Sequence, residues 1–428
     1  MLITIVFLFL TAVLLGIIME KLKLPALLGY MLTGICFSPS MAEVMQLESS
    51  WLTTLYLTHE QTRDSGPLRM IALFIILYRA GLGLDRAGLK ENGVTALKLS
   101  ILPCLLEAAT VAVCAHYLFQ FPMIEALMLG FVMAAVSPAV IVPIMLKLQE
   151  MKIGANKKIP TMILASSTAD DIIAISGFGI CLSLLAPQYQ NNWQLMLLSV
   201  PISIIFGAMT GYYLARPLIA LFKSAKLPSF FQALLLLLLA GLFKKFSEFS
   251  LQDIGVSTIE VARLSVPFSY LFATISLGMS IQIFSRETAI DIAKHFKYMW
   301  KLAELILFVL IGAMVNLNLA FDAGFFGLLI LVAGLLARSF GVVLSTWDSQ
   351  LNRKEILFCV IAYLPKATVQ ATIAGIAYNM FYKGELNLYH GSGQLIITMA
   401  AMSILVTAPI GAVATRIASK KLLYVPKE

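Results

Sequence analysis

Long apolar runs, each interrupted by only a few polar residues, follow one another along the whole chain. A run of roughly 17–25 apolar residues is long enough to cross a hydrocarbon core as a helix. The pattern predicts thirteen spans, at about 2–19, 22–38, 67–84, 96–119, 123–148, 160–186, 194–220, 229–246, 261–283, 298–317, 324–346, 355–381 and 394–416. The longest connection, 39–66, contains an aromatic-rich stretch from Trp51 to Leu57 that is too short to cross and reads as an interfacial helix. The fold class expected is therefore an all-α polytopic membrane protein.

Composition agrees with the pattern. Of 428 residues, 60% are hydrophobic and 13% charged, with mean hydropathy +0.89. A soluble chain of this length carries about 25% charge. The first span has no basic leader and no small-residue cleavage site, so it reads as a retained helix. All five cysteines lie within spans, without metal-ligand spacing, and read as small packing residues.

Charge sets the expected orientation. With the N-terminus outside, the inner loops and tail hold 22 Lys and Arg and the outer loops hold 6, Arg69 being assigned to the outer set. Such a bias marks the cytoplasmic side, so the N-terminus is expected outside and the C-terminus in the cytoplasm, in a plasma or inner membrane. The formal charge of +8 is then mostly a topology signal, and no nucleic-acid partner is expected.

Two predicted spans are interrupted. Span five carries Pro138 and Pro143; span twelve carries Pro365, followed by Lys366, Thr368 and Gln370. Proline removes a backbone donor and clashes with the carbonyl four residues back, so both helices should break. Broken backbone at membrane depth is tolerated where it lines a cavity. With span seven as a linker, spans one to six map onto eight to thirteen in opposite orientation, an inverted repeat of the kind transporters use. Span five then matches twelve. Span four, with Glu107, matches eleven, with Arg338.

The rare charges point to the chemistry. Asp170 and Asp171 sit side by side in the middle of span six. A charge at the bilayer centre costs several kcal/mol and persists where it lines a polar pathway or meets a partner. Two adjacent carboxylates also oppose each other's ionisation. Neighbouring residues on a helix point about 100° apart, so one carboxylate can face a cavity while the other meets a neighbouring helix. At about 1.5 Å per residue, Glu107, Asp170 and Lys366 each lie roughly 15 Å from the cytoplasmic ends of their spans, with Arg338 at a similar depth. Carboxylates, the hydroxyls of Ser137, Ser167 and Thr168, and freed carbonyls would suit a hard monovalent cation. Glu107 and Arg338 read first as a salt bridge joining spans four and eleven. Lys366 reads as part of the site, since a desolvated ammonium can release its proton. Arg79 reads as a snorkelling side chain, and Glu304 as an interfacial partner of Lys301.

These segments together resemble a known family. The Asp-Asp pair after ASSTA, the AVSPAVIVP helix, LPCLLEA and YLPKATVQA are similar to the monovalent cation/proton antiporters, nearest the NHA branch of solute carrier 9B-type sodium/proton exchangers. The likeness runs from about Leu24 to Ala412. It implies an NhaA-like fold in which spans five and twelve cross as broken helices, and a homodimer. It also implies scaffold and dimerisation helices in 1–95, core helices in 96–190, linker and scaffold helices in 191–320, and further core helices with a short tail in 321–428. Asp171 would be the principal cation ligand and Asp170 its partner, with Na+ or Li+ and protons competing for them by alternating access. Electrogenic relatives carry a lysine where Arg338 stands, so electroneutral exchange is expected, although deprotonation of Lys366 would add a second proton. Animal members also carry a cytosolic N-terminal extension and an extra helix that this sequence does not show.

Other readings weigh less. A K+/H+ exchanger or a sodium-coupled symporter fits the same fold, but no further charge is present to bind an organic substrate. An intramembrane aspartyl protease needs its aspartates on separate helices, and Asp85 in GLGLD lacks the required spacing. A channel would need a carbonyl filter. No resident cofactor is expected beyond the transported ions.

Overall fold

A computed structural model describes residues 2–46, 54–83, 86–185, 193–247, 268–322, 324–382 and 392–424. In chain order the helices are α1 (Leu2–Lys21), α2 (Ala26–Cys36), α3 (Pro39–Val44), α4 (His59–Asp64), α5 (Gly66–Gly83), α6 (Arg86–Phe119), α7 (Met123–Ala134), α8 (Pro138–Glu150) and α9 (Ile159–Leu184). They continue as α10 (Trp193–Ser224), α11 (Ser229–Ser247), α12 (Tyr270–Phe284), α13 (Arg286–Ala313), α14 (Leu317–Asp322), α15 (Gly324–Thr346), α16 (Arg353–Ala362), α17 (Thr368–Tyr382) and α18 (Ser392–Leu422). Among the described residues, eight helices are long and apolar enough to cross a membrane, and α2, α7 and α12 are shorter apolar helices.

The sequence pattern and the helices differ in instructive places. α13 begins at Arg286, well before the apolar run at 298, because its first half is amphipathic and buries Ala289, Ile292 and Phe296. α6 bends at Gly93, whose backbone (φ 57°, ψ −138°) suits glycine and separates the polar start of the helix from its apolar length. In its described part, the expected interfacial helix at Trp51–Leu57 is reduced to a 3₁₀ turn at 54–55. Thr54 instead offers its carbonyl to Thr4 Oγ1 at 2.6 Å, and Leu57 N–H reaches Phe37 O at 3.0 Å, folding the stretch onto α1 and α2. Trp51–Thr53 lie outside the described residues, as does 261–267 of the ninth predicted span.

Two sets of helices pack most closely. In one, α6 lies against α15, α7 and α9, and α18 lies against α16 and α17. In the other, α2 packs on α1 and α13, α5 on α12 and α13, and α10 on α12. Small residues let helices approach closely without a hydrophobic driving force between them. At the α2–α13 crossing, a Cβ on Gly34 would lie 2.0 Å from Val309 O, and one on Gly312 would lie 2.2 Å from Met31 O. Only glycine fits on either side.

Both interrupted elements are broken in the structure. Ala135–Ser137 separate α7 from α8, and Tyr363–Ala367 separate α16 from α17. Pro138 starts α8 at the first helical position, where its missing N–H costs nothing. The two breaks touch: Ser137 N–H donates to Pro365 O at 2.9 Å. Gly411 on α18 makes room there, since a Cβ would lie 2.4 Å from Pro365 Cγ.

Candidate functional site

Three helices and one break deliver charges to this meeting point. α6 brings Glu107, α9 brings Asp170, α15 brings Arg338, and the α16–α17 link brings Lys366. All four residues are 0% exposed. A buried charge is sustained only if it is paired and its remaining hydrogen-bonding capacity is met. Glu107 Oε2 accepts from Arg338 Nε and, at 2.6 Å, from Lys366 Nζ. Arg338 Nη1 lies 3.3 Å from Asp170 Oδ1, and its Nη2 donates to Ala134 O. Lys366 Nζ also reaches Ala134 O at 3.2 Å.

Ala134 ends α7, so its carbonyl carries the negative end of that half-helix dipole. Two cations converge on it. The break also frees a donor, and Val136 N–H gives it to Asp170 Oδ2 at 3.3 Å. Interrupting α7–α8 thus exposes an acceptor for the bases and a donor for the acid. The broken helix and the charge cluster are one construction.

Several sequence expectations meet here. Glu107 and Arg338 are ion-paired, but not as a closed pair, because Lys366 shares the same carboxylate oxygen. Asp170 meets a neighbouring helix through Arg338. Asp171 is 2% exposed, and its Oδ1 has no hydrogen-bond partner among the described residues. Ser137 is buried with its Oγ likewise without a partner. Ser167 turns back on its own helix, donating to Leu164 O at 3.1 Å. Thr168 lies on α9 and Pro138 on α8, with side chains outside the described residues.

A cavity of about 290 Å³ opens at the end of the bundle marked by Glu20, Lys23 and Arg416. It runs in to Val140, in the first turn of α8 beyond Ser137, and Asp171 is not among its lining residues. Glu304 lines its wall, hydrogen-bonded by the Trp300 side chain. The expected Lys301–Glu304 pair is not found among the described contacts: Lys301 Nζ lies 5.8 Å from the Tyr298 ring centre instead. Arg79 does not snorkel outward as expected. Its guanidinium lies over the Trp300 ring at 5.3 Å and interacts electrostatically with Glu304.

Sequence reasoning missed two features. Tyr363 shares a hydrogen bond with Ser166 and lies 5.9 Å from the Arg338 guanidinium, so it buttresses the cluster. Arg69 was assigned to an outer loop, yet it lies inside α5 and is 1% exposed. Its place a few residues into an apolar run was the available signal.

Residues 8–421 match the family model described as sodium/hydrogen exchanger, transmembrane. The chain belongs to the sodium/hydrogen exchanger family. The exchanger is 32% identical over 409 residues to sodium/hydrogen exchanger 9B2 of Homo sapiens, covering 94% of this chain and 70% of that protein. It is 32% identical over 406 residues to human sodium/hydrogen exchanger 9B1, covering 94% and 73%. Its fold is similar to that of the sodium proton antiporter MjNhaP1 from Methanocaldococcus jannaschii, with TM-score 0.73 and 21% identity over 98% of this chain and 99% of the other. The exchanger is thus a multi-pass membrane transporter rather than an enzyme, of the NHA branch.

Proposed function

We propose that the exchanger moves Na+ or Li+ against H+ by alternating access, and that Asp171 is the carboxylate for which both ions compete. One observation carries the reading. Glu107 and Asp170 are each ion-paired, and Glu107 keeps only its Oε1 without a partner, whereas Asp171 has a buried, unpartnered oxygen and no ion pair among the described contacts. The Asp170–Val136 hydrogen bond places Asp171 and Ser137 each one residue beyond a single contact. Ser137 Oγ then supplies a second oxygen to a dehydrated cation. Occupancy by a proton or by a cation is mutually exclusive, which is the basis of obligatory exchange.

Charge balance supports one-for-one stoichiometry. Glu107 and Asp170 offset Arg338 and Lys366, leaving Asp171 as the group whose charge is neutralised alternately by sodium and by a proton. In this reading, 96–190 and 321–428 form the moving core and the other helices form the scaffold. The end with Glu20, Lys23 and Arg416 is cytoplasmic, placing the N-terminus outside. The cavity is then the inward-facing access route.

The test is purified protein in liposomes containing a pH dye, with sodium, lithium or potassium added while the membrane potential is clamped at several values. Cation-driven proton flux that ignores voltage supports one-for-one exchange. Voltage-sensitive flux makes Lys366 the second proton carrier. Flux with potassium alone reassigns the cation, and no flux with any of the three favours symport.

A further inference from the structure

Arg69 occupies the opposite end of the bundle from the cavity, away from the charge cluster, and joins elements from both helix sets. Its Nη1 donates to Thr62 O at 3.0 Å and to Ser65 Oγ at 2.7 Å, and lies 2.7 Å from Met314 Sδ. Its Nη2 donates to Asn379 Oδ1. The guanidinium carbon lies 5.9 Å from the Tyr378 ring centre. Thr62 and Ser65 flank the start of α5, and Met314 caps α13, both in the proposed scaffold. Tyr378 and Asn379 lie near the C-terminal end of α17, in the proposed core. A single side chain therefore bridges the two bodies.

The seam is tight around that bridge. A Cβ on Gly375 would lie 3.1 Å from Arg69 Cδ, and one on Gly66 would lie 3.2 Å from Asn379 Nδ2. Gln394, in the first turn of α18, adds a second link by donating to Met314 O at 2.9 Å. At the other end the same two bodies are parted by the cavity and joined by Arg416 Nη1, which donates to Lys23 O at 2.8 Å. The seam is closed where Arg69 stands and open where Arg416 stands. Arginine suits a clasp because it presents five donors in a fixed fork and stays protonated. A cation at the end of α17 also meets the negative end of that helix dipole.

We infer that Arg69 is the outer clasp of the exchanger. It holds α17 against α5 and α13 while the cytoplasmic side is open, and it must release Asn379 before the site can face outward. This rests on the alternating-access reading and assigns the residue that biases its equilibrium. Freeing the clasp favours the outward-facing state. It therefore lowers the external sodium concentration needed for half-saturation and raises the internal one.

Arg69→Gln removes the fork, and Asn379→Ala removes the core acceptor while leaving Arg69 its scaffold partners. In oriented proteoliposomes each variant is expected to shift the ratio of external to internal half-saturating sodium by about tenfold, the scale of one lost charge-assisted hydrogen bond. A purely structural role lowers the maximal rate and the melting temperature without moving that ratio. An unchanged ratio in folded Asn379→Ala overturns the clasp. Hydrogen–deuterium exchange, which needs no transport, gives a second readout: faster uptake in 368–382 and 62–69 is expected in both variants. If the parent protein carries no cation-driven flux, the transport reading fails, and unchanged protection in those segments separately rejects the clasp.

Discussion

At the rim of the bundle, Lys98 reaches Asp348 at 2.6 Å and Lys157 reaches Glu355 at 2.7 Å, each one cation to one carboxylate. In the core, one Glu107 oxygen holds two cations, and Arg338 spans two acids and a carbonyl. The pair chemistry is the same and the surroundings are not. Lys98, Asp348 and Lys157 keep water as an alternative partner, so their pairing contributes little and is screened, while the buried Glu355 is also held by its own helix cap. Core charges have no such alternative, so each removal strands another charge. Shared partners let the cluster neutralise itself, which leaves Asp171 as the carboxylate proposed above to exchange its ions. The rim fastens; the core sets the charge state.

The largest expected effect lies on that carboxylate. Asp171→Asn is expected to abolish exchange while leaving the melting temperature close to that of the parent. Normal sodium-driven proton flux in that variant would remove Asp171 from the site and with it the contrast between core and rim. Next comes Arg338→Ala, which strands Asp170 and takes one partner from Glu107, an expected loss of about 3–5 kcal/mol of stability. Lys366→Ala leaves Glu107 its arginine and should cost less. Equal melting temperatures for the two variants would show that the cations carry the cluster equally, contrary to the geometry.

The rim effects are smaller. Lys157→Ala removes a donor shared by Glu355 and Gln350 O, but Glu355 keeps its capping-box bond to Asn352 N–H, so about 1 kcal/mol is expected in thermal melts. Lys98→Ala should give the smallest change. The Lys98 hydrogen bond holds the exposed Asp348 carboxyl below the usual carboxylate range. A carboxyl whose pKa falls on folding adds stability above its unfolded value and loses it as pH drops through the folded value. The difference between Lys98→Ala and the parent should therefore vanish on acidification and shrink in high salt. A difference that persists in acid would mean that Lys98 acts through packing.

What was legible in the sequence follows from what an apolar pattern encodes. Periodicity and proline gave the helices and both breaks, and counting residues along each span placed four charges at one depth. Depth is an axial coordinate only. It carries no information about which faces of α6, α9, α15 and the α16–α17 link turn toward one another, so Glu107 was assigned to Arg338 alone and the share of Lys366 was not foreseen. The choice of Asp170 for Arg338 and Val136 depends on a 100° difference of direction that periodicity in a wholly buried helix does not fix. Arg69 and Glu304 were misread for a related reason. Near a span end, a charge facing water and a charge packed between helices look alike in one dimension.

The contact between the two breaks, Ser137 N–H to Pro365 O, has a consequence for efficiency. It ties the two interrupted helices to each other, and in the exchange proposed above neither half-helix pair would slide alone past the ion. An ion that slips through without its counterpart dissipates the gradient that the cell maintains across the membrane. In that scheme the tie opposes slippage, because it would have to part before an ion could leave without its counterpart.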